Sequence, residues 1–594
     1  MKTSNLKNQL SKFLVLLFFF GSTINYGQTN YYLSSSKGND SNKGTINAPW
    51  KTLKKINSIK LKPGDKVLFK KNDTFLGHFV VNGSGSKRKP IIIGSYGSGS
   101  LPILSGAVGS ENGGDHQEAL LILNNDNIIV EHIEVQNNRL SSRKGVRDQD
   151  SYGIYVLNNG NSTLENFIFR SVTFKNVYAP MPILREKGEN AFNGLEVAAL
   201  RFFSTRNTKN SIKNIQNTLV ENCHFSNLQR LGVHIKHAGG QKDVGTDKTN
   251  SNVDFVFRNN KFRNTGGTCI LPIRTYNCLI ENNLFYKPGD NLDPRMANRG
   301  SSVWTWRCIN TVIQYNQCLN IRGYLDSHGI HIDHENVNTF IQYNYMEDCE
   351  GGFVEILGGN KNSVYRFNVS VNDGWRENPN WKNSNHTLWI NEVVPQGKHR
   401  ADGNYIYNNT IYMDNPYATS IDIDGKNNFI YNNIFTAING AKIGAKQMLV
   451  KNNDTPLFQK NNLYQGQINP RFKNLDTNPI NGAAHFVNPK AGNKYGFQLK
   501  ANSKAINNGV PQQGPPIPGA GKGIFKNISK YPTVDFYGNP INLSKGTPNI
   551  GACNAKNGEI LAISEVLLNQ GEIEIYPNPA SSEINILNLK KNDD

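Results

Sequence analysis

The stretch Phe257-Arg-Asn-Asn-Lys-Phe262 decides the fold, because variants of it recur along most of the chain. The copies share apolar ends around a polar, asparagine-rich middle and occupy residues 220–225, 280–285, 313–318, 341–346, 406–411 and 430–435. Self-similarity at a period of roughly 20–50 residues indicates a repeat architecture. Because the unit combines strand and turn residues without a helical period, the sequence predicts an all-β, right-handed parallel β-helix over about residues 92 to 435.

One asparagine position is common to most copies, and it steps along the chain through Asn260, Asn283, Asn409 and Asn433. A stacked amide can form hydrogen bonds along the stack, and asparagine tolerates the left-handed backbone of sharp turns. We therefore expect these residues to stack at one turn of the coil.

A second repeat, typified by Val233-His-Ile-Lys236 and Ile330-His-Ile-Asp333, supplies strands with two outward side chains each. Alternate residues of a strand point to opposite faces, so the second and fourth residues of each copy form two outward columns. The first column is His234, Pro272, Trp304, His331, Glu355, Trp389 and Asp422, and the second is Lys236, Arg274, Trp306, Asp333, Leu357, Asn391 and Asp424. Such columns predict a long groove for a chain-like substrate.

Composition and segment boundaries agree with an exported solenoid. The chain has 594 residues, 54 glycines and 37% hydrophobic residues, which suits many turns around a narrow core. An apolar run at 13–20 follows three lysines, Lys2, Lys7 and Lys12. The run is too short to span a bilayer, and the pattern is typical of a signal peptide. We expect a signal peptide (1–27), an N-terminal cap and first strands (28–90), a β-helix with irregular C-terminal rungs (91–556) and a partial sorting domain (557–594). No later segment predicts a membrane span, so the mature protein should be soluble and extracellular.

The cysteines number seven and include no CxxC pair, which argues against a metal site. Cys223, Cys269 and Cys318 are expected as small apolar core residues. A disulfide between Cys269 and Cys278 stays open, because exported proteins can form them.

The formal charge of +19 favours an anionic partner. Nucleic acid is disfavoured, because the Lys and Arg residues are scattered and no DNA-binding motif is present. An anionic polysaccharide explains basicity and export together, and generic solubility charge remains the alternative. We expect a monomer.

The groove carries the candidate chemistry. Asp333 and Glu355 lie one rung apart and two residues offset, so strand spacings of ~4.8 Å and ~3.3 Å place their α-carbons about 8 Å apart. This falls within the ~6.5–9.5 Å separation of carboxyl groups in inverting glycosidases, where water must fit beside the sugar. The sequence therefore predicts hydrolysis with Asp333 and Glu355 as acid and base, and with His331 beside them.

Substrate-binding residues are expected along the same columns. Trp304 and Trp306 predict a sugar-stacking platform, and Lys236 and Arg274 predict sulfate or carboxylate contacts. His234, Trp389 and Asn391 complete this set. Asp290 and Asp293 raise the possibility of calcium, but two acids in a loop are more typical of turns, so no metal or cofactor is expected.

Residues 327–334, 342–345 and 350–355 resemble β-helix glycoside hydrolases of marine and gut Bacteroidetes that act on fucosylated or sulfated algal glycans. The resemblance implies hydrolysis at Asp333 and Glu355, and with the basic charge it implies endo-acting cleavage of fucoidan or carrageenan. Residues 49–69 resemble the N-terminal segment of secreted β-helix carbohydrate enzymes, where a helix covers the open core. Residues 573–586 resemble the start of a type IX secretion sorting domain, which implies secretion or surface attachment.

Two other functions compete with hydrolysis. Val233-His-Ile-Lys236 and Leu271-Pro-Ile-Arg274 are similar to the base and acid rungs of the alginate lyase and chondroitinase B family, which implies β-elimination by Lys236 and Arg274. The calcium acids that this family carries shortly before its lysine are missing from Leu228-Gln-Arg-Leu231. A non-catalytic glycan-binding solenoid is the third possibility, and the acids, histidines and tryptophans on one face argue against it.

Overall fold

A computed structural model describes residues 28–180, 194–239, 248–325, 327–376, 385–394, 397–451 and 456–555. The expected signal peptide (1–27) and sorting motif (557–594) lie outside the described residues. Nearly all strands of the described chain belong to three long sheets in which every neighbouring pair is parallel. The chain visits the sheets in turn, so the molecule is the predicted right-handed parallel β-helix.

The first sheet contains strands Asn30–Leu33, Lys66–Lys70, Ile91–Tyr96, Ile128–Glu131, Leu164–Arg170, Ile215–Glu221, Asn252–Arg258, Thr275–Glu281, Ile309–Gln314, Val337–Gln342, Lys361–Arg366, Asp402–Tyr407, Lys426–Tyr431 and Leu457–Lys460. The second contains Phe79–Val80, Glu118–Leu123, Asp150–Asn158, Glu196–Ser204, Leu231–His237, Ile270–Ile273, Val303–Thr305, Ile330–Ile332, Gly352–Ile356, His386–Ile390, Ala418–Ile423 and Lys442–Val450. The third contains Thr74–Leu76, Ile103–Ser105, Glu134–Asn138, Thr173–Tyr178, His224–Leu228, Lys261–Thr265, Leu284–Pro288, Gln317–Leu319, Tyr345–Glu347, Val369–Val371, Thr410–Met413, Ile434–Ala437, Leu463–Gly466 and Ile480–Asn481. The coil therefore begins before residue 92 and continues beyond residue 435. Val393–Val394 and Gly397–Lys398 form a small antiparallel pair.

The interior is a stack of apolar side chains. Phe174, Phe225, Phe262 and Phe285 of the third sheet lie face to face, with ring centroids 4.7, 4.3 and 5.1 Å apart. All seven cysteines are buried and free, as expected for core residues, and Cys269 and Cys278 form no disulfide. Burial of these ladders supplies most of the driving force that holds the rungs together.

The predicted asparagine stack is confirmed at the corner between the first and third sheets. Asn260 donates its backbone and side-chain N–H groups to Asn283 Oδ1, both at 3.0 Å, and Asn283 does the same to Asn316 at 2.9 and 3.0 Å. The ladder continues through Asn344, Asn368, Asn409, Asn433 and Asn462 to Asp476. The left-handed backbone belongs to the preceding residue, for example Asn259 at φ 56° and Asn282 at φ 56°.

Short helices are confined to the ends and loops of the coil. Helix Leu53–Asn57 begins at Thr52, whose side chain accepts a hydrogen bond from the Lys55 backbone N–H, and it buries Leu53 and Ile56. A second α-helix spans Pro470–Lys473, and 3₁₀ helices span Ser110–Asn112, Lys248–Asn250, Lys494–Phe497 and Gly523–Phe525. Within the described part of the chain, none of the helices has the length and apolarity to cross a membrane. Residues 482–555 pack irregularly over the first and third sheets.

Candidate active site

From Trp304 onward, the second sheet presents the first outward column as the sequence predicted. Trp304 pairs with His331, and Glu355 pairs with Trp389, which in turn pairs with Asp422. Since Ile332 pairs with Ile356, Glu355 lies opposite His331. Glu355 is therefore one rung and two residues from Asp333, as the sequence analysis assumed.

The strand Ile270–Ile273 departs from the prediction by one residue. Leu271 pairs with His234, and Ile273 pairs with Lys236. The expectation that Pro272 and Arg274 occupy the outward columns is therefore wrong. The physical reason is that Ile270 is the fully buried core residue of this rung, so Leu271 faces outward. Arg274 follows the strand with φ 57° and is 4% exposed, so it does not continue the Lys236 column that a lyase would use.

Glu355 is the centre of the candidate site. Its side chain is fully buried, and its two oxygens lie against two histidines. His331 Nε2 is 3.0 Å from Glu355 Oε1, and His328 Nδ1 contacts Oε2. Both histidines are buried as well, so the carboxyl and the two imidazoles form one buried acid–base cluster. Such a cluster supplies groups that proton transfer to or from a sugar would need.

Asp333 is the second carboxyl group and is 3% exposed. Its Oδ2 accepts a hydrogen bond from Trp304 Nε1, and its Oδ1 accepts one from the His334 backbone N–H at 2.8 Å. The His334 ring also approaches it, with Nε2 at 3.0 Å from Oδ1. Burial alone lowers the pKa of His334, but its hydrogen bond to Asp333 and the nearby carboxylates outweigh burial and raise that pKa.

Indole rings connect and flank these carboxyl groups. The Trp304 ring lies parallel to the His331 ring with centroids 5.3 Å apart. Trp304 therefore links the two carboxyl groups: it donates to Asp333 and stacks on the histidine that contacts Glu355. Trp306 meets His334 edge to face at 6.3 Å, and its Nε1 has no hydrogen-bond partner among the described residues. An indole N–H left in this way is a donor for a substrate hydroxyl.

Beyond Glu355 the column continues with an aromatic and an acidic group. Trp389 stacks on His386 at 4.7 Å, and burial, reinforced by positive neighbours, lowers the pKa of His386 to about 3. Burial and then the charge of Asp424 raise the pKa of Asp422 to about 6, against a smaller effect of Lys451. Asn391 is 8% exposed, and its Oδ1 accepts a hydrogen bond from the Val393 backbone N–H at 3.0 Å.

His234 and Lys236 lie toward the other end of the column, beside a part-buried ion pair of Arg201 and Glu196. Burial and the charge of Arg201 lower the pKa of His234 well below its ordinary value, so its imidazole is neutral at pH 7. Burial favours protonated Glu196, but Arg201 and neighbouring cations, Lys236 among them, lower the pKa of Glu196 to about 2. The structure thus separates His234 and Lys236 from the Asp333–Glu355 centre by the rungs of Leu271 and Trp304.

Sequence reasoning missed His328, His334 and His386. A signal was present, because three of the chain's 12 histidines lie between residues 328 and 334. His328 precedes strand Ile330–Ile332 and His334 follows it, so the two-residue alternation of a strand does not place either ring.

Within the described ranges, no group of three or more His, Cys, Asp or Glu side chains is arranged to hold a metal ion. The two acids that raised the possibility of calcium have protein partners: Asp293 pairs with Arg295 at 2.9 Å, and Asp290 accepts a hydrogen bond from Asn264. They act as loop residues here.

The fold and the site define a parallel β-helix protein with two buried carboxyl groups, held by histidine and tryptophan, on one sheet. No model of a known protein family matches the chain. A lacto-N-biosidase from Bifidobacterium longum subsp. longum is 23% identical over an alignment 617 positions long, which covers 88% of this chain. The chain spans only 36% of the length of that relative.

Solved β-helix structures also resemble the chain. A GH136 lacto-N-biosidase from Eubacterium ramulus superposes with a TM-score of 0.49 and 17% identity, covering 80% of this chain and 69% of that one. The complex of XylC with xylose gives a TM-score of 0.45 and 11% identity, covering 89% of this chain and 99% of that one.

Proposed function

We propose that the protein is a glycoside hydrolase whose active site is the Asp333–Glu355 centre. The observation that carries the proposal is the pairing of two buried carboxyl groups on adjacent rungs, each held by imidazole. Trp304 donates to Asp333 and stacks on His331, the histidine that contacts Glu355. Glycosidases use two carboxyl groups, one of which donates a proton to the leaving oxygen. The similarity to a lacto-N-biosidase over 88% of this chain supports the same chemistry.

In the proposed mechanism, the Glu355–His331 pair holds the proton that is given to the glycosidic oxygen. Asp333 is the carboxylate that acts at the anomeric carbon, through a water if the enzyme inverts. Trp304 and the His334 backbone fix the Asp333 oxygens by hydrogen bonds. The Trp306 Nε1 group donates to a sugar hydroxyl. The rung geometry places the α-carbons of Asp333 and Glu355 about 8 Å apart, and a separation of that order between the carboxyl groups favours inversion.

The substrate proposed first is a glycan that contains lacto-N-biose-type disaccharide units, because the relative is a lacto-N-biosidase. A sulfated polysaccharide of the fucoidan or carrageenan type, cleaved internally, is the second candidate. The net charge of +19 favours this second candidate.

β-Elimination is less well supported. The lyase mechanism needs a lysine and an arginine on one outward column, and Ile273 rather than Arg274 pairs with Lys236. Lys236→Ala is accordingly expected to leave turnover intact, whereas an unsaturated uronate in the product would restore the lyase assignment.

The test is product analysis with a panel of substrates. The purified protein is incubated with an aryl glycoside of lacto-N-biose, with native and desulfated fucoidan and carrageenan, and with a uronate polymer. We expect release of lacto-N-biose from the first compound, and proton NMR of the fresh product gives its anomeric configuration. Release of oligosaccharides from native but not desulfated polymer would select the second candidate. Absence of new reducing ends with every substrate would contradict hydrolysis.

We also infer export, from the apolar run at 13–20 behind Lys2, Lys7 and Lys12, with surface attachment through the motif at 573–586. Fractionation of a culture of the source organism tests this inference, and we expect the protein in the medium or at the cell surface. Retention in the cytoplasm would contradict it.

A further inference from the structure

A ladder of aromatic residues lies at the edge of the first sheet, away from the catalytic proposal. The residue before each ladder asparagine has a left-handed backbone, and most rungs place asparagine there, as in Asn282 at φ 56° and Asn408 at φ 52°. On three consecutive rungs this position is instead Tyr315 at φ 57°, Tyr343 at φ 58° and Phe367 at φ 51°. Bulky residues rarely adopt this conformation, and such strain is concentrated at functional or tightly packed positions.

Packing explains two of the three aromatic residues. Tyr343 and Phe367 are 5% and 1% exposed beneath the C-terminal segment, and the Tyr343 hydroxyl donates to the Val534 carbonyl at 3.1 Å. Tyr315 is different, because it is 42% exposed. It lies parallel to Tyr343 with centroids 4.9 Å apart and presents its other side beyond the covered part of the ladder. Burial therefore does not account for an aromatic ring at this position.

Tyr315 borders a cavity of about 240 Å³ between the first sheet and residues 527–534. The floor is polar: Gln314 Nε2 donates to Glu281 at 2.9 Å, and Gln342 Nε2 donates to Gln314 Oε1 at 2.8 Å. Arg366 Nε donates to Gln342 Oε1 at 2.8 Å, which continues the chain of hydrogen bonds across the rungs.

Arg366 supplies a further sign of a ligand. Its side chain is fully buried and lines the cavity, and Nη1 donates to the Tyr407 hydroxyl at 2.9 Å. The remaining Nη2 has no hydrogen-bond partner in the described structure. A buried guanidinium N–H without an acceptor is costly, and an acceptor placed in the cavity removes that cost. Asn527 and Tyr531 on the opposite wall add polar groups that face the same space.

We propose that this cavity is a non-catalytic binding site for one pyranose residue of a glycan. Its volume of about 240 Å³ is on the scale of a single sugar ring rather than a chain. The exposed Tyr315 ring stacks on the apolar face of the sugar, and Gln314 and Arg366 meet its hydroxyl or acetamido oxygens. A small inorganic anion would use Arg366 but leave the strained Tyr315 without a role.

The site tethers a glycan on a sheet that does not carry the Asp333–Glu355 centre. It therefore raises local substrate concentration without contributing to bond cleavage. Its existence does not depend on the proposed hydrolysis, since a chain that fails to cleave sugars can still bind them here.

The test is sugar binding by the full chain, measured by isothermal titration and saturation-transfer NMR with galactose, N-acetylglucosamine and lacto-N-biose. Tyr315→Asn is the decisive variant, because asparagine is the residue that other rungs carry and it tolerates the left-handed backbone. Phe458→Ala is the matched control, since Phe458 is a 53% exposed ring of the same sheet, stacked on Phe429 outside the cavity. Trp304→Ala, or Trp304→Phe if the alanine variant fails to fold, removes the competing active-site platform.

We expect at least a tenfold loss of affinity at this site in Tyr315→Asn, with an unchanged melting temperature, and no loss in Phe458→Ala. The Trp304 variant should lose the active-site component of binding and keep the component that depends on Tyr315. Turnover of a small aryl glycoside should be the same in Tyr315→Asn as in the parent chain. Equal affinity in Tyr315→Asn and the parent would overturn the proposal, and so would loss of all sugar binding in the Trp304 variant. Absence of binding by the parent chain to all three sugars would overturn it too.

Discussion

Replacing Asp333 by asparagine is the sharpest test of the site. Asp333 is 3% exposed, with Oδ1 2.8 Å from the His334 backbone nitrogen and 3.0 Å from His334 Nε2, and with Oδ2 accepting from Trp304 Nε1. The amide has the same shape as the carboxylate. Its oxygen can keep the two His334 contacts, but its nitrogen then faces the Trp304 N–H, so one donor opposes another.

The expected magnitudes follow from these contacts. Loss of one hydrogen bond to a charged group costs ~1.5–3 kcal/mol of stability, which lowers the melting temperature by a few degrees in a domain this large. Loss of general acid–base or nucleophilic catalysis costs ~10²–10⁴-fold in kcat, equivalent to about 2.7–5.4 kcal/mol in the barrier. The loss of kcat should therefore be large and the loss of stability small. A residue that only supported the fold would show a large loss of stability and a small loss of kcat.

The assay pairs initial rates with thermal unfolding for D333N and for Asp402→Asn. Asp402 is a fair control, because it is a carboxylate of the first sheet that accepts a hydrogen bond from Asn427 at 2.8 Å and lies outside the candidate site. We expect normal kcat in D402N and a loss of at least ~10² in D333N. A D333N chain that folds and keeps more than about a third of the parent kcat would refute the catalytic assignment.

Three further outcomes are expected. Asn344→Ala removes the hydrogen bonds that the Asn344 side chain donates to the Ile313, Gln342 and Asn368 oxygens at 2.9, 3.0 and 3.1 Å, and the two that it accepts from Asn316. The free energy of unfolding measured in urea should therefore fall by about 3–5 kcal/mol. A fall of under about 1 kcal/mol would contradict the structural role of the ladder. Trp304→Phe keeps a ring beside His331 but loses the hydrogen bond to Asp333, so kcat should fall about tenfold with little change in KM. A higher KM with an unchanged kcat in steady-state kinetics would make Trp304 a binding residue only. Burial, reinforced by Asp424, raises the pKa of Asp422 from 3.8 to about 6, so its contribution to stability is present below pH 3.8 and is lost as pH rises through about 6. The stability of Asp422→Asn relative to the parent should therefore increase by on the order of 1–2 kcal/mol between pH 4 and pH 7. Melting curves that show the same stability difference at every pH would exclude the raised pKa.

The fold and most of the register of the second sheet could be predicted because the repeat is local. Each rung carries its own apolar alternation and its own asparagine, so the phrase around Asn260 already specifies the turn that places Asn283 beneath it. Prediction failed at Leu271, where the four consecutive apolar residues of Ile270–Ile273 allow two registers and only the packing of Ile270 in the core selects one.

The histidines around Glu355 and the cavity at Tyr315 could not be predicted in the same way. His328 and His334 flank a three-residue strand, and turns direct their rings. The cavity depends on a contact between Tyr343 and Val534, which are 191 residues apart in the chain. Local periodicity carries no information about a segment that returns from so far along the sequence.

The net charge of the chain says less about the substrate than the pairing of individual charged side chains does. The chain carries +19 overall, yet cations on or beside the second sheet are engaged with acids: Arg201 with Glu196, Arg400 with Asp424 at 3.0 Å, and Lys451 with Asp424. A paired guanidinium attracts a sulfate less than a free one, because the partner carboxylate repels the anion. Around Asp333 and Glu355 the available groups are instead indole and imidazole N–H donors, including Trp306 Nε1. Such donors suit the hydroxyl and acetamido groups of a neutral sugar, which is why we rank the lacto-N-biose-type glycan above the sulfated polymer.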